Sequence, residues 1–393
     1  MHMKRYEEKD GRKWLTVWAQ AHTDMTFMAG AVRDNTSRLT IVNRIGGNAV
    51  RVRFSNQVGK KEAEIAAASV SFASQKPVEL RFGGRTGISL APGESAYSDA
   101  VEMELSEGER LSVSVAIQGK ATSGNHMAEH VRYSPRGNFT MEAVMPEMEG
   151  MEKEIKKMEP GRHGPFMPLL SRIEVCSRAE KDIILCFGDS ITQQCQWTKP
   201  LAEFCARSAQ DTVILNLGID GNKLLTDPMA KLFAMFGEAG IRRFQRDILE
   251  VPGGTTVIFA LGTNDIGMAR SRRKLQDNGA DAIMKGFREL CAHARQAGMR
   301  VYLATVTPRG GSGAYKKMHE EERILLNGQI RESTDFDGIL DFEEAVRDEK
   351  DPYRIKPEYD SGDHLHPGPE GGKAIAKTIE KMLFFQASSA DKL

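Results

Sequence analysis

Two rhythms of apolar and polar residues divide the chain. From Lys13 to about Met145 the runs are short and of period two. In Val50-Arg51-Val52-Arg53-Phe54 apolar alternates with charged, and in Leu111-Ser112-Val113-Ser114-Val115-Ala116-Ile117 apolar alternates with small, as in strands with one buried face. Gly46-Gly47-Asn48, Phe82-Gly83-Gly84-Arg85 and Ala91-Pro92-Gly93 supply turns between them. Roughly nine such runs without a helical pattern predict an all-β, antiparallel, jelly-roll-like sandwich. Trp14 and Trp18 alternate as core strand residues would, and Ser171 to Cys176 reads as its last strand. The Met-rich stretch from Met141 to Arg162, with Met145, Met148, Met151 and Met158, reads as a packing helix or an excursion.

After Ala179 the rhythm changes. Ile183 to Phe187 is a continuous apolar run, too short for a helix, that predicts a strand buried on both faces. Val213 to Leu217, Val257 to Leu261, Val301 to Thr305 and Ile339 to Phe342 repeat it. Helical spacing links them: Leu201, Phe204 and Cys205; Leu232, Phe233 and Phe236; Ile283, Phe287, Leu290, Cys291 and Ala294; and a last helix from Gly372 to about Phe385. Alternation of this kind predicts an α/β domain with a parallel sheet between two helical layers. The expected division is therefore 1–179 for the β-sandwich and 180–393 for a catalytic domain.

Composition narrows the partners. Fifty-four Lys plus Arg balance fifty-four Asp plus Glu, so no global field recruits nucleic acid or an anionic membrane. A neutral small molecule or oligosaccharide is the expected partner, with the oligomeric state left open. The cysteines at 176, 186, 195, 205 and 291 are odd in number, lack metal-type spacing and read as reduced core residues. The charged N-terminus and the lack of any run near the ~20 apolar residues of a membrane span suggest a cytoplasmic protein, a removed signal peptide aside.

Candidate chemistry gathers past the strand ends, where loops of an open α/β sheet converge on one crevice. Ser190 closes Gly188-Asp189-Ser190-Ile191-Thr192; by itself a serine there is commonly a helix cap. To attack an ester it needs a base, and the base needs an orienting group. Asp363-His364-Leu365-His366-Pro367 offers both. Residues three apart in a tight turn face each other, so Asp363 accepts from Nδ1 of His366 and leaves Nε2 for Ser190, while His364 points elsewhere. Oxyanion donors are expected from the N–H groups of Ser190 and Gly221 (in Gly218-Ile219-Asp220-Gly221-Asn222) and from the side chain of Asn264 (in Gly262-Thr263-Asn264-Asp265). Each alone is an ordinary turn sequence.

Together, and in this order, the four blocks resemble the SGNH or GDSL esterase superfamily over about residues 180 to 387. The resemblance implies a flavodoxin-like sheet, a Ser190-His366-Asp363 triad, an oxyanion hole of Ser190, Gly221 and Asn264, and no metal or organic cofactor. The first half, with Val50 to Asn56, Phe82 to Arg85 and Ser98-Asp99, resembles the domain that precedes the esterase unit in some bacterial members, which are carbohydrate deacetylases and short-chain esterases. Gln193-Gln194 departs from relatives that carry a small or acidic residue and then glycine.

A serine esterase acting on acetyl esters, of carbohydrate above all, is the resulting expectation. The alternatives are a lipase-like esterase on longer acyl chains, a glycan-binding protein without catalysis, and a metal-dependent hydrolase built on His364, His366 and Asp363 with His126 and His130. Arg309 and Tyr315 are placed at the pocket mouth by position, and Gly310 to Gly313 lacks the ending of a phosphate-binding loop.

Overall fold

A computed structural model describes residues 11–26, 32–126, 131–146, 148, 166–208, 210–229, 231–313 and 315–385. The chain divides into two compact units, Met1–Lys181 and Asp182–Leu393.

In the first unit nearly every strand pairs antiparallel. One sheet orders Lys13–Ala19, Leu170–Ser177, Gly47–Ser55 and Ser95–Tyr97, with Val101–Leu105 also on Gly47–Ser55. A second orders Val131–Arg136, Asn35–Val42, Arg110–Gln118, Ala63–Phe72 and Val78–Leu80. A third joins Met167–Pro168, Ser123–Asn125 and Thr23–Asp24. The period-two runs bury the expected faces: Val50, Val52 and Phe54 in one sheet, Leu111, Val113 and Val115 in the other. The unit is a β-sandwich. More strands form than roughly nine because three-residue strands such as Ile88–Leu90 and Ser95–Tyr97 leave too short a pattern to read. Where the pleat buries charge, the charge is paired. Arg51 bonds Glu174 at 2.7 Å and lies between the rings of Trp14 and Tyr97. Of the Met-rich stretch, Met145 is buried and Met148 exposed; Met151 and Met158 lie outside the described residues.

The second unit is a five-stranded parallel sheet in the order Thr212–Asn216, Asp182–Gly188, Gly254–Ala260, Arg300–Ala304, Gly338–Leu340. Numbered along the chain this is 2-1-3-4-5, the flavodoxin-like winding, whose switch point lies between the first strand and the third. Both faces are apolar because both are covered. Ile184, Cys186 and Ile258 pack with Trp197, Leu201, Ile375 and Ile379 on one side. Phe187, Phe244, Phe259 and Phe287 pack ring to ring on the other, with centroids 5.6–6.2 Å apart. Each such ring, fully buried, contributes about 1.5–3 kcal/mol. The helices Thr198–Arg207, Ala280–Gln296 and Pro369–Glu380 follow the expected spacing.

Two expectations shift. The fifth strand stops at Leu340, because Asp341 accepts the N–H of Glu344 at 3.0 Å and starts the helix Phe342–Val346, so Phe342 packs as a helical residue. The 232–236 pattern forms a short 3₁₀ helix, Lys231–Phe236, with a kink at Phe233. None of the five cysteines forms a disulfide. Among the described residues no helix is long and apolar enough to cross a membrane.

Candidate active site

Ser190 opens a four-residue helix, Ser190–Gln193, directly at the end of the first strand. Asp189 makes this turn: its side chain accepts the N–H of Ile191 at 3.0 Å, and its carbonyl accepts those of Thr192 and Gln193. The bend leaves no room for side chains beneath it. A Cβ at Gly188 would meet Thr192 Oγ1 at 2.0 Å, and one at Gly218 would meet the backbone N of Gln193 at 2.5 Å. Gln193, which departs from the relatives, is thus buried against the second loop.

The candidate base comes from a turn 176 positions along the chain. Asp363 accepts the backbone N–H groups of Leu365 (3.0 Å) and His366 (2.8 Å) with one oxygen and the ring Nδ1–H of His366 (2.7 Å) with the other. That sets the tautomer and leaves Nε2 of His366 to accept from Ser190 Oγ at 2.8 Å. Ser190 and His366 are both buried. Partial burial raises the Asp363 carboxyl, but the bonds from His366 outweigh it and hold the group well below the usual carboxylate range. His364 points away, its Nδ1 bonded to Asp360 at 2.6 Å.

The loops that carry the expected oxyanion donors are tied to the strand that ends before Ser190 and to one another. The loop after the second strand is zipped to the first: Leu217 N–H donates to Cys186 O and Ile219 N–H to Gly188 O. Gly221 follows at φ +65°, where a Cβ would also lie 2.3 Å from the ring of Phe236, so glycine is required twice over. Neither the N–H of Ser190 nor that of Gly221 has an acceptor among the described residues. Asn264, in the short helix Thr263–Gly267, donates one side-chain hydrogen to Asn222 O at 3.0 Å, and its second side-chain hydrogen has no acceptor among the described residues.

The sequence did not reveal the bonds that brace these loops. Asn222 donates to Phe236 O and Glu238 O and accepts from Arg243. Arg243 is fully buried and also donates to Leu217 O, Gly188 O and Asp247, with its guanidinium 4.0 Å above the Phe187 ring. Burial pulls it down to about 10, with Asp247 opposing, so it stays charged at neutral pH. In Ile241-Arg242-Arg243-Phe244 nothing but the i, i+4 partner Asp247 separates this arginine from its exposed neighbour. Asp265 ties the third block to the second through the N–H groups of Leu224 (2.8 Å) and Leu225 (3.0 Å). Arg309 is buried rather than at a mouth, donating to Thr263 O at 3.0 Å; Tyr315 is exposed.

Asp189 gives the site a pH signature. Burial pushes its carboxyl up to about 7, against the Ile191 N–H and with help from Asp220 and Asp265. The folded chain therefore holds a proton that the unfolded chain has lost above about pH 4. This stabilising contribution is fully present below that pH and disappears as pH rises through about 7. Asp189→Asn keeps the cap oxygen and removes the titration, so the fall in urea midpoint between pH 5 and pH 8 should shrink. An unchanged fall would refute the assignment.

Among the described residues no three His, Cys, Asp or Glu side chains gather to hold a metal. His130, a member of the metal alternative, lies outside them.

Residues 186–374 match the model of the GDSL-like Lipase/Acylhydrolase family. Among solved structures, a GDSL-like lipase from Bacteroides thetaiotaomicron VPI-5482 is 17% identical, covering 53% of this chain and 89% of its own, with a TM-score of 0.38. An acetylxylan esterase from Geobacillus stearothermophilus is 18% identical, covering 52% of this chain and 94% of its own, with a TM-score of 0.38. No curated protein matches the chain.

Proposed function

We propose, on the premise that the second unit of this chain belongs to the GDSL-like lipase/acylhydrolase family and is a carboxylic ester hydrolase, that it removes short acyl groups, acetyl above all, from carbohydrate. The observation that carries the reading is the unbroken chain from Ser190 Oγ to His366 Nε2 (2.8 Å) and from His366 Nδ1 to Asp363 (2.7 Å).

In this mechanism His366 takes the Ser190 proton as Oγ attacks the ester carbonyl, and the N–H groups of Ser190 and Gly221 with the free hydrogen of Asn264 receive the oxyanion. Loss of one such donor typically costs about 2.7–4 kcal/mol of barrier. Collapse expels the alcohol, protonated by His366. Water, deprotonated by the same imidazole, then adds to the acyl-serine, and its breakdown returns Ser190 with its proton and releases the acid. Asp363, ionised throughout, offsets the imidazolium charge.

Short acyl groups fit because the ring of Phe236 fills the space beside Gly221. Sugar fits because Phe233 stacks on that ring (5.6 Å, 16°) and remains 44% exposed, offering an apolar face, and because the chain has no net charge to favour a polyanion.

The test is release of acid from 4-nitrophenyl esters of increasing chain length and from acetylated xylooligosaccharides. Acetate should be released fastest in the ester series, and the oligosaccharides should be turned over. A preference for chains of about eight carbons or more, or no acetate from any sugar, would sink the carbohydrate reading.

A further inference from the structure

We propose that His364, held by Asp360, is a second imidazole–carboxylate pair that binds a hydroxyl of the leaving alcohol next to the scissile ester. The inference rests on the carbohydrate reading above. His364 stands two positions before His366, so its Cα is at most about 7.6 Å from that of the base. Its Nδ1 bonds Asp360 Oδ2 at 2.6 Å, and the two side chains differ sharply in exposure, 7% for Asp360 and 46% for His364. A buried carboxylate thus orients an imidazole that faces solvent. With Nδ1–H committed to Asp360, Nε2 is an acceptor, and it has no partner among the described residues. An O–H donor beside the ester suits it.

The ring is not needed to close its own turn. The other oxygen of Asp360 already accepts the backbone N–H groups of Gly362 (2.8 Å) and His364 (3.0 Å), a task independent of what side chain stands at 364. His364 also sits at φ +61°, a conformation that glycine adopts without steric cost. The facing loop makes room for the imidazole: Gly311 is at φ +93°, and a Cβ there would lie 3.3 Å from His364 Cγ. A side chain kept against local backbone preference, superfluous to the turn, oriented by a buried acid and two residues from the base is best explained by contact with substrate.

The experiment compares His364→Ala and His364→Gly with the full-length wild type on two substrates, xylooligosaccharide acetylated at part of its hydroxyls and the same oligosaccharide fully acetylated. The readout is the ratio of kcat/KM between them. Loss of one hydrogen bond to a free hydroxyl should lower that ratio about 3- to 10-fold in both variants, through KM. An unmoved ratio would overturn the inference. The thermal midpoint of His364→Gly is the second readout. It should equal or exceed that of wild type, because glycine relieves the backbone while Asp360 keeps the turn, whereas a drop of several degrees would make the ring a structural pin and also overturn it. Wild type that releases no acetate from either sugar marks failure of the carbohydrate reading itself, a result distinct from a wild type that cleaves both while the variants leave the ratio untouched.

Discussion

Ser190→Ala should lower kcat on 4-nitrophenyl acetate by about a millionfold while leaving the fold intact. The size follows from the loss of covalent catalysis, since the remaining groups have no nucleophile to activate. The intact fold follows from the site: the hydroxyl has His366 Nε2 as its partner, and the cap that makes the turn belongs to Asp189. Removing that one bond alters stability by about 1–3 kcal/mol, the cost of leaving the buried His366 Nε2 without its donor. A fluorophosphonate should label the wild type and spare the variant. Hydrolysis that survives near the wild-type rate would mean that another group attacks, and labelling that persists would locate it.

The second large effect is on stability. Arg243→Met should destabilise the second unit by about 3–5 kcal/mol, because it strips donors from several buried acceptors at once and leaves the buried Asp247 with less compensation. Gly188 O, Leu217 O and Asn222 Oδ1 all lose a partner, and these three mark the end of the first strand, the residue after the second and the loop of Gly221. Arg246 still bonds Asp247 at 2.7 Å, so the carboxylate keeps one cation. Urea unfolding of the full chain, followed at a probe in the second unit, reads the effect. Arg243→Lys should fall between the two, since an ammonium retains the charge but cannot reach four acceptors with a planar fork. A midpoint for Arg243→Met equal to that of wild type would show that the loops are held by backbone zipping alone.

How much of this was legible beforehand depends on the range of the interaction concerned. Apolar runs such as Ile183 to Phe187 announce a doubly covered strand because burial on both faces acts on each residue separately, and the Asp363–His366 spacing is a local fact about a turn. The 3₁₀ form of Lys231–Phe236 and the early stop of the fifth strand at Leu340 turned on a competing cap and a kink that hydrophobic spacing does not encode. Arg243 was invisible for another reason. An arginine in an amphipathic helix reads as solvated unless the carbonyls that await it are known, and those lie about 26 and 55 positions upstream, at and just past strand ends. The Asp360–His364 pair was obscured by the neighbouring dyad, which uses the same residue types in the same few positions.

The proposed nucleophile rides on the parallel sheet, whereas its proposed base arrives on a turn near the far end of the described chain, fastened by Asp360, Asp363 and the backbone bond from Ser361 N–H to His366 O. Opening that turn would separate proton acceptor from hydroxyl while the sheet stayed whole. Catalysis in this molecule is therefore a more sensitive gauge of integrity than its secondary structure: mild heat or dilute denaturant should silence the enzyme, reversibly, before circular dichroism registers any change.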